Sequence, residues 1–274
     1  MAGYRTGNRR RAMKGIICYY SATGNTRLVV GHLVRHLQIP FDLCNIARDP
    51  LPEFANYAVV GFASPVERMA MPALMRGFLH SLPLSRGKPA FILVTYGAIV
   101  GRALADMASA LRARSFKLIG AHALPVPDSF PPFIALHLGS SGMPDGAALK
   151  AFDGFIANLG TAISDLAEGN SVPEIDVRPD FRNLVASRVL GRPRRRPAPM
   201  SVDQSACTKC GDCARCCPYK AVRLDPLPVF DEKQCRGCWA CYNLCPERAI
   251  HTRWLRGRGH YPGPSQTFKE KMGL

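Results

Sequence analysis

Two cysteine-rich stretches decide the fold of the C-terminal part of this chain: CTKCGDCARCCP at residues 207–218 and CRGCWACYNLCP at residues 235–246. Each contains the spacing C-x2-C-x2-C-x3-C-P, and each leads into a short apolar pair, at residues 221–222 and 249–250. The two stretches share one plan, which indicates an internally duplicated domain.

The cysteine spacing indicates a particular kind of metal centre. A C-x2-C-x2-C-x3-C-P run places three thiolates around one face of an iron–sulfur cube and directs the fourth to a second cube. A structural zinc site needs four ligands and usually takes them from two separated pairs. Two complete runs therefore favour two [4Fe–4S] clusters over zinc.

The same region resembles the bacterial two-cluster ferredoxins over roughly residues 201–252. The resemblance implies a small α+β domain with crossed ligation, in which each cluster takes three thiolates from one stretch and one from the other. The implied ligand sets are Cys207, Cys210, Cys213 and Cys245 for one cluster, and Cys235, Cys238, Cys241 and Cys217 for the other. Cys216 belongs to neither pattern, and we predict that it is a bystander.

Length and composition allow two domains or one large domain. The chain has 274 residues, of which 47% are hydrophobic, so its cores need no disulfides. Nine of the 11 cysteines lie in residues 207–245, which indicates metal binding in a reducing compartment. The basic N-terminus leads into a strand-length apolar segment without a cleavage-site pattern, and no run reaches the roughly 18 apolar residues of a membrane span. We expect a cytoplasmic protein.

Residues 15–167 alternate strand patterns with amphipathic helix patterns, which indicates an α/β domain with a parallel sheet covered on both faces. Apolar runs predict strands at 15–20, 41–46, 57–63, 89–96 and 116–123. Apolar residues at helical spacing predict helices between 26 and 40, and at 72–80, 101–114 and 149–163.

Three segments lie outside the two domains: a basic N-terminal tail (1–14), a basic linker (168–200) and a C-terminal tail (253–274). The structure of the C-terminal tail is not predicted. Within the linker, four apolar residues predict one face of a short helix: Phe181, Leu184, Val185 and Val189. This helix either packs against a domain or contacts a membrane surface or a partner.

A polar loop, Ser21-Ala22-Thr23-Gly24-Asn25-Thr26, separates the first predicted strand from the first predicted helix. Hydroxyl and backbone N–H groups of such a loop converge on the helix N-terminus, where they stabilise a phosphate. The loop lacks the lysine of a P-loop and the G-x-G-x-x-G of dinucleotide-binding proteins, so it suits a phosphate monoester held by neutral donors. The alternative is an ordinary strand-to-helix turn capped by Ser and Thr.

This loop resembles the flavodoxin phosphate loop, S/T-x-T-G-x-T, which binds flavin mononucleotide (FMN). The resemblance implies a flavodoxin-like, doubly wound five-stranded parallel sheet in the order 2-1-3-4-5. The phosphate-loop residues implied to bind FMN are Ser21, Thr23, Gly24, Asn25 and Thr26. The loops after the third and fourth strands would complete the site with Pro65, Val66, Tyr96 and Gly97, the last two near the flavin ring.

Other residues lead to narrower predictions. Relatives often carry an aromatic residue where this chain has Glu67, which would either point inward and disfavour the anionic flavin hydroquinone or lie in solvent paired with Arg68. Phe130 could close over the flavin as a replacement ring. Two pairs of residues are predicted to lie away from any site, Cys18 and Cys44 in the core and His32 and His36 in solvent.

From about residue 15 to 252 the chain resembles the fused flavodoxin–ferredoxin proteins. That resemblance implies an electron-transfer iron–sulfur flavoprotein, which relays electrons between two [4Fe–4S] clusters and FMN, to or from a partner redox protein. Two alternatives stay open: an FMN-dependent reductase of a quinone or other small acceptor with the clusters as its internal wire, and a nucleic-acid-associated or regulatory iron–sulfur protein. Only the reductase would be an enzyme proper, a flavin and iron–sulfur oxidoreductase.

The formal net charge of +16 bears on the partner. Two clusters and a flavin phosphate would lower it to about +10. Such a surface favours an acidic redox partner or an anionic membrane surface, or it serves solubility alone. Nucleic acid is disfavoured, because no aromatic residues interleave with the arginine runs and no known binding motif is present.

Overall fold

The N-terminal domain is built on a five-stranded parallel sheet in the order β2-β1-β3-β4-β5. The computed structural model describes residues 13–178, 183, 185 and 199–274. The strands are β1 Gly15–Tyr19, β2 Phe41–Asn45, β3 Val59–Pro65, β4 Pro89–Tyr96 and β5 Lys117–Pro125. This order confirms the predicted flavodoxin-like fold.

Helices cover both faces of the sheet: α1 Asn25–His36, α2 Ala73–Ser81, α3 Ala103–Arg112, α4 Pro131–Ala135 and α5 Gly146–Glu168. Helices α1 and α5 pack in one core and α2 and α3 in the other. Helix α5 is longer than predicted because both its ends are capped. The Asp145 carboxylate accepts a hydrogen bond from the Ala148 N–H at 2.8 Å, and Gly169 ends the helix at φ 84°. The short α4 was not predicted.

Successive residues of the central strands serve opposite cores, which explains their continuous apolar runs. Ile17 faces the core of α1 and α5, whereas Ile16 and Cys18 face that of α2 and α3. Cys18 and Cys44 are both buried, as predicted. Between β2 and β3 only a 3-10 turn, Phe54–Asn56, takes the place of a helix.

The second domain, referred to below as the cluster domain, consists of short elements: β6 Ser201–Val202, α6 Asp212–Cys216, β7 Val222–Asp225, β8 Leu227–Phe230, α7 Ala240–Asn243 and β9 Ile250–His251. Strand β6 pairs antiparallel with β9, and β7 with β8. The two antiparallel pairs and two short helices confirm the predicted small α+β domain.

The C-terminal tail packs on the N-terminal domain and ends in α8, Gln266–Lys271. The hydroxyl of Ser265 caps α8 by accepting a hydrogen bond from the Phe268 N–H at 3.2 Å. The carbonyl of Met272 lies 3.0 Å from Nδ1 of His32. The prediction that His32 is solvated is therefore wrong, because the tail covers it, whereas His36 is exposed as predicted.

The beginning of the predicted linker runs beside β5, where the Ile175 N–H donates to the Leu118 carbonyl at 2.8 Å. The predicted helix face at residues 181–189 lies outside the described residues, apart from Val185, as do the arginine run at 192–196 and residues 1–12. Within the described ranges, no helix has the length and apolar character needed to cross a membrane.

Candidate functional site

The first of two cavities in the cluster domain opens beside α6. Four cysteines line it: Cys207, Cys210, Cys213 and Cys245. Its empty volume, which includes some open solvent, is about 340 Å³. The chain bends around this cavity at Lys209 and Gly211, whose φ angles of 58° and 81° lie in the left-handed region. Gly211 then starts α6, which carries Cys213 to the buried side.

The second cavity lies between β7, β8 and α7. Its four cysteines are Cys217, Cys235, Cys238 and Cys241, and its empty volume is also about 340 Å³. Tyr219, Phe230 and Trp239 contribute aromatic walls. The Ala221 N–H donates to the Cys217 sulfur at 3.3 Å, and bonds of this kind tune the potential of an iron–sulfur cluster.

Each cavity thus gathers three cysteines of one stretch and one of the other, which is the grouping that the ferredoxin resemblance implies. Among the described residues, no group of three or more His, Cys, Asp or Glu side chains comes close enough together to hold a single metal ion. The thiols instead surround an open volume, and four thiols around such a volume match the donor set of a [4Fe–4S] cluster. The eight cysteines therefore fit this group, and their role as ligands stays a prediction.

Burial dominates the electrostatics of the second cavity. It raises the pKa of the thiols of Cys235, Cys238 and Cys241, and the Glu67 carboxylate raises that of Cys238 further. Because iron binds the thiolate, loading this cavity must release protons, and the metal must offset the cost of burying the negative charge.

Cys216 lines neither of these two cavities. Its thiol donates to the Cys213 carbonyl at 3.6 Å, and burial raises its pKa to about 12. A protonated thiol bonded to the backbone suits the predicted bystander role.

The phosphate loop turns from β1 into α1 at Gly24, whose φ of 102° requires the conformational freedom of glycine. The Ser21 hydroxyl accepts from the N–H groups of Gly24 and Arg27, at 3.2 and 3.3 Å. The backbone N–H groups of Asn25 and Thr26 donate to no group in the described part of the chain. Buried donors in the first turn of a helix fit a phosphate group.

Side chains of the loop are used to hold it in place. Nδ2 of Asn25 donates to the Pro127 carbonyl at 2.8 Å, and its Oδ1 accepts from the Tyr261 hydroxyl at 2.6 Å. The hydroxyls of Thr26 and Thr95 lie 2.8 Å apart. These bonds tie the loop to the segment after β5, to β4 and to the C-terminal tail, and they leave the backbone N–H of Asn25 available for a phosphate.

The four other predicted FMN contacts lie at the carboxyl ends of β3 and β4. Pro65 ends β3, and the N–H of the next residue, Val66, donates to the Thr95 carbonyl at 2.8 Å. Tyr96 ends β4 half-buried. At Gly97 a Cβ would lie 2.5 Å from the carboxyl carbon of Asp128, so a larger residue there would have to displace the Asp128 side chain. This edge of the sheet also carries the phosphate loop and is where doubly wound folds bind ligands. Contact of these residues with FMN stays a prediction.

Glu67 is not the solvated partner of Arg68, and that interpretation is wrong. Its carboxylate lies between the two domains, where Oε1 accepts from the Tyr20 hydroxyl at 3.1 Å and Oε2 from the Tyr219 hydroxyl at 3.2 Å. The residue as a whole is half-buried. Burial raises the pKa of Glu67 to about 7, against the two tyrosine hydrogen bonds, which lower it. Glu67 therefore points inward, toward the cluster domain.

Two further contacts between the domains were not predicted from the sequence. The Phe130 ring packs edge-on against Trp239 of the cluster domain, at a centroid distance of 6.0 Å, and its role as a ring over the flavin stays a prediction. Asn243 is fully buried, and its Nδ2 donates to the Ser129 carbonyl at 2.8 Å. Trp239 and Asn243 lie within the second cysteine stretch, but the cysteine spacing carries no signal for the contacts of the residues between the cysteines.

Comparison with known protein families supports an iron–sulfur centre. The model of the 4Fe-4S binding domain matches residues 228–251, which include the second cysteine stretch. At least one [4Fe–4S] cluster is therefore supported in the cluster domain. No curated protein matches the chain.

Solved structures with similar folds include two flavodoxins and one oxidoreductase. A flavodoxin from the domain Archaea is 17% identical, with 57% of this chain and 99% of that chain covered and a TM-score of 0.41. A Streptococcus pneumoniae TIGR4 flavodoxin is 15% identical, with 54% and 98% covered and a TM-score of 0.41. Rubredoxin oxygen:oxidoreductase from Desulfovibrio gigas is 15% identical, with 55% and 36% covered and a TM-score of 0.43.

Because these sequence identities and TM-scores are low, the fold is identified by the strand order of the sheet and not by the superposition on these structures. The chain combines a flavodoxin-like domain with an iron–sulfur domain, the architecture of a flavodoxin–ferredoxin fusion.

Proposed function

We propose that this protein is an electron-transfer iron–sulfur flavoprotein, which relays electrons between two [4Fe–4S] clusters and FMN, to or from a partner redox protein. The main support is a contact between the two candidate sites. Tyr219 lines the second cysteine cavity and shares the Glu67 carboxylate with Tyr20, the residue directly before the phosphate loop. One hydrogen-bonded carboxylate therefore links the two sites.

The chemistry would belong to the cofactors. When bound, a cube exchanges one electron and a flavin one or two, so that one-electron and two-electron partners can be coupled. The chain supplies the rest: Phe230 and Trp239 shield the second cavity from water, the Ala221 N–H bonds the Cys217 sulfur, and the loop at 21–26 offers fixed donors.

The first cavity is the more accessible of the two and suits exchange with a partner. Each cavity has one buried cysteine, but Cys210 in the first is exposed, whereas none of the four cysteines of the second is. Electrons would pass from a partner to the first cavity, then to the second cavity and then to the flavin site, or in the reverse direction. The net charge of +16 supports an acidic partner.

The reductase alternative needs the segment at residues 125–144 as the wall of a substrate pocket. Within this segment Ser129 and Phe130 contact Asn243 and Trp239 of the cluster domain. These contacts favour electron relay to a protein partner and disfavour the reductase alternative, which needs this segment for a substrate pocket.

Anaerobic purification with cofactor quantitation and EPR tests the proposal. We expect about eight iron atoms and one FMN per chain, and EPR signals of two interacting reduced clusters. Fewer than about four iron atoms, or no flavin after reconstitution, would contradict it.

A further inference from the structure

The C-terminal segment, residues 259–274, is anchored to the helix that starts at the phosphate loop. Phe268 and Met272 are buried in the core formed by α1 and α5. The Met272 carbonyl accepts from Nη2 of Arg35 at 2.5 Å. Lys271 donates to two carbonyls of the loop before α5, Gly142 at 2.7 Å and Pro144 at 2.9 Å. Removing the segment from this position would expose two core side chains.

Ahead of α8, the same segment covers the phosphate loop. Pro264 lies against Gly24, where a Cβ would come within 3.1 Å of its Cδ. The hydroxyl of Tyr261 donates to Oδ1 of Asn25 at 2.6 Å. Burial raises the pKa of Tyr261 to about 12, so the hydroxyl keeps its proton at neutral pH.

Tyr261 also binds the cluster domain. Its N–H donates to Oδ1 of Asn243 at 3.1 Å, and Nδ2 of Asn243 donates to the Ser129 carbonyl at 2.8 Å. On the other side, Nδ2 of Asn25 donates to the Pro127 carbonyl at 2.8 Å. One network thus joins the phosphate loop, the C-terminal segment, α7 and the segment after β5, and burial of Asn243 shields part of it from water.

We propose that Tyr261 is a positioning residue that holds the phosphate loop closed around the FMN phosphate and thereby slows the release of FMN. The inference rests on the proposed function, because it takes FMN as the ligand of the loop. Asn25 cannot move outward without breaking its bond to Tyr261. The segment cannot leave Gly24 without withdrawing Phe268 and Met272 from the core.

Release of FMN from the full-length protein tests this inference, followed by the recovery of flavin fluorescence after dilution. Tyr261→Phe removes the hydroxyl and keeps the ring, so it should release FMN about two to ten times faster, as expected for the loss of one hydrogen bond. Riboflavin lacks the phosphate and should leave both proteins at the same rate. The matched control is Tyr57→Phe, which removes a 2.8 Å bond to Asp42 at the opposite end of the sheet and should behave like wild type.

Three other outcomes would contradict the inference, and only one of them would also contradict the proposed function. Equal release of bound FMN from wild type and Tyr261→Phe would overturn the inference and leave the proposed function in place. Faster release of riboflavin as well would also overturn it, because the effect would not act through the phosphate. If the wild-type protein binds no FMN, the proposed function fails and the inference fails with it.

Discussion

Cys216 and Cys217 are neighbours in the sequence but differ in their surroundings. Cys217 lines the second cavity and accepts a hydrogen bond from the Ala221 N–H, whereas Cys216 donates to the Cys213 carbonyl. They therefore form a matched pair for testing the crossed ligation, since the two substitutions remove the same atoms one residue apart.

We expect Cys217→Ala to lower the iron content by up to half, from about eight to about four atoms per chain, because one cluster loses a ligand. Cys216→Ala should retain the full content. Iron analysis and EPR of the anaerobically purified variants measure both. If both variants lost the same amount of iron, the assignment of Cys217 as the ligand would be wrong.

At the scale of a residue, the direction of the Glu67 side chain could not be predicted from the sequence, whereas the grouping of the cysteines could. The cysteine grouping was predictable because the repeated spacing resembles that of the two-cluster ferredoxins, which implies the crossed ligand sets. The direction of Glu67 was not, because its partner Tyr219 is 152 positions away and belongs to the other domain. A loop carboxylate beside Arg68 looks solvated unless the docked domain is known.

At the scale of elements, β5 and α5 enclose a histidine. The ring of His122 stacks on those of Phe152 and Phe155, at centroid distances of 5.5 and 5.1 Å. Its Nε2 is buried with no hydrogen-bond partner among the described residues. Burial lowers the pKa of His122 to about 4, so the native protein holds it neutral.

This packing predicts a loss of stability in mild acid. Between the unfolded pKa of about 6.5 and the native value, the unfolded chain binds a proton that the native protein does not, so stability is present above pH 6.5 and falls as the pH decreases. His122 should account for roughly 1 kcal/mol of the loss between pH 7.5 and 5.5. Denaturant unfolding at the two pH values measures it, and His122→Phe should show a smaller difference. An unchanged pH dependence in the variant would contradict the assignment.

Elements were predictable where a repeating apolar pattern carries their stability. The strand order was implied by the resemblance to flavodoxins, and the helices α1, α2, α3 and α5 were predicted from their apolar spacing. The six-residue α8 was not predictable, because so short a helix depends on tertiary contacts, here those of Phe268 and Met272.

At the scale of the whole molecule, the buried Glu67 carboxylate joins two domains that each have their own core. Tyr20 is almost fully buried in the N-terminal domain, and Tyr219 lies in the cluster domain. Without Glu67, both tyrosine hydroxyls lose their shared acceptor. Each hydroxyl that stays buried without a partner should lower the free energy of unfolding by roughly 1–3 kcal/mol.

Because Glu67 joins the domains, we expect the visible absorbance of the clusters and the far-ultraviolet circular dichroism of wild-type protein to change together on denaturation, and coincidence of the two signals is the test of a single transition. In Glu67→Ala the two signals should separate, because the domains are less firmly docked. Glu67→Gln can still accept one hydroxyl bond and donate to the other tyrosine oxygen, so it should behave more like wild type. Glu53→Ala, which removes an exposed carboxylate bonded to Asn56, is the control. Coincident transitions in Glu67→Ala would show that Glu67 does not couple the domains.

The position of the C-terminal segment has a consequence for biosynthesis. A ribosome completes both cysteine stretches before it makes residues 259–274, and domains fold as they emerge. The phosphate loop therefore receives Tyr261 and Pro264 only after the cluster domain has been synthesised. The slow release of FMN proposed above would therefore be possible only in a chain whose two cysteine stretches have already been synthesised.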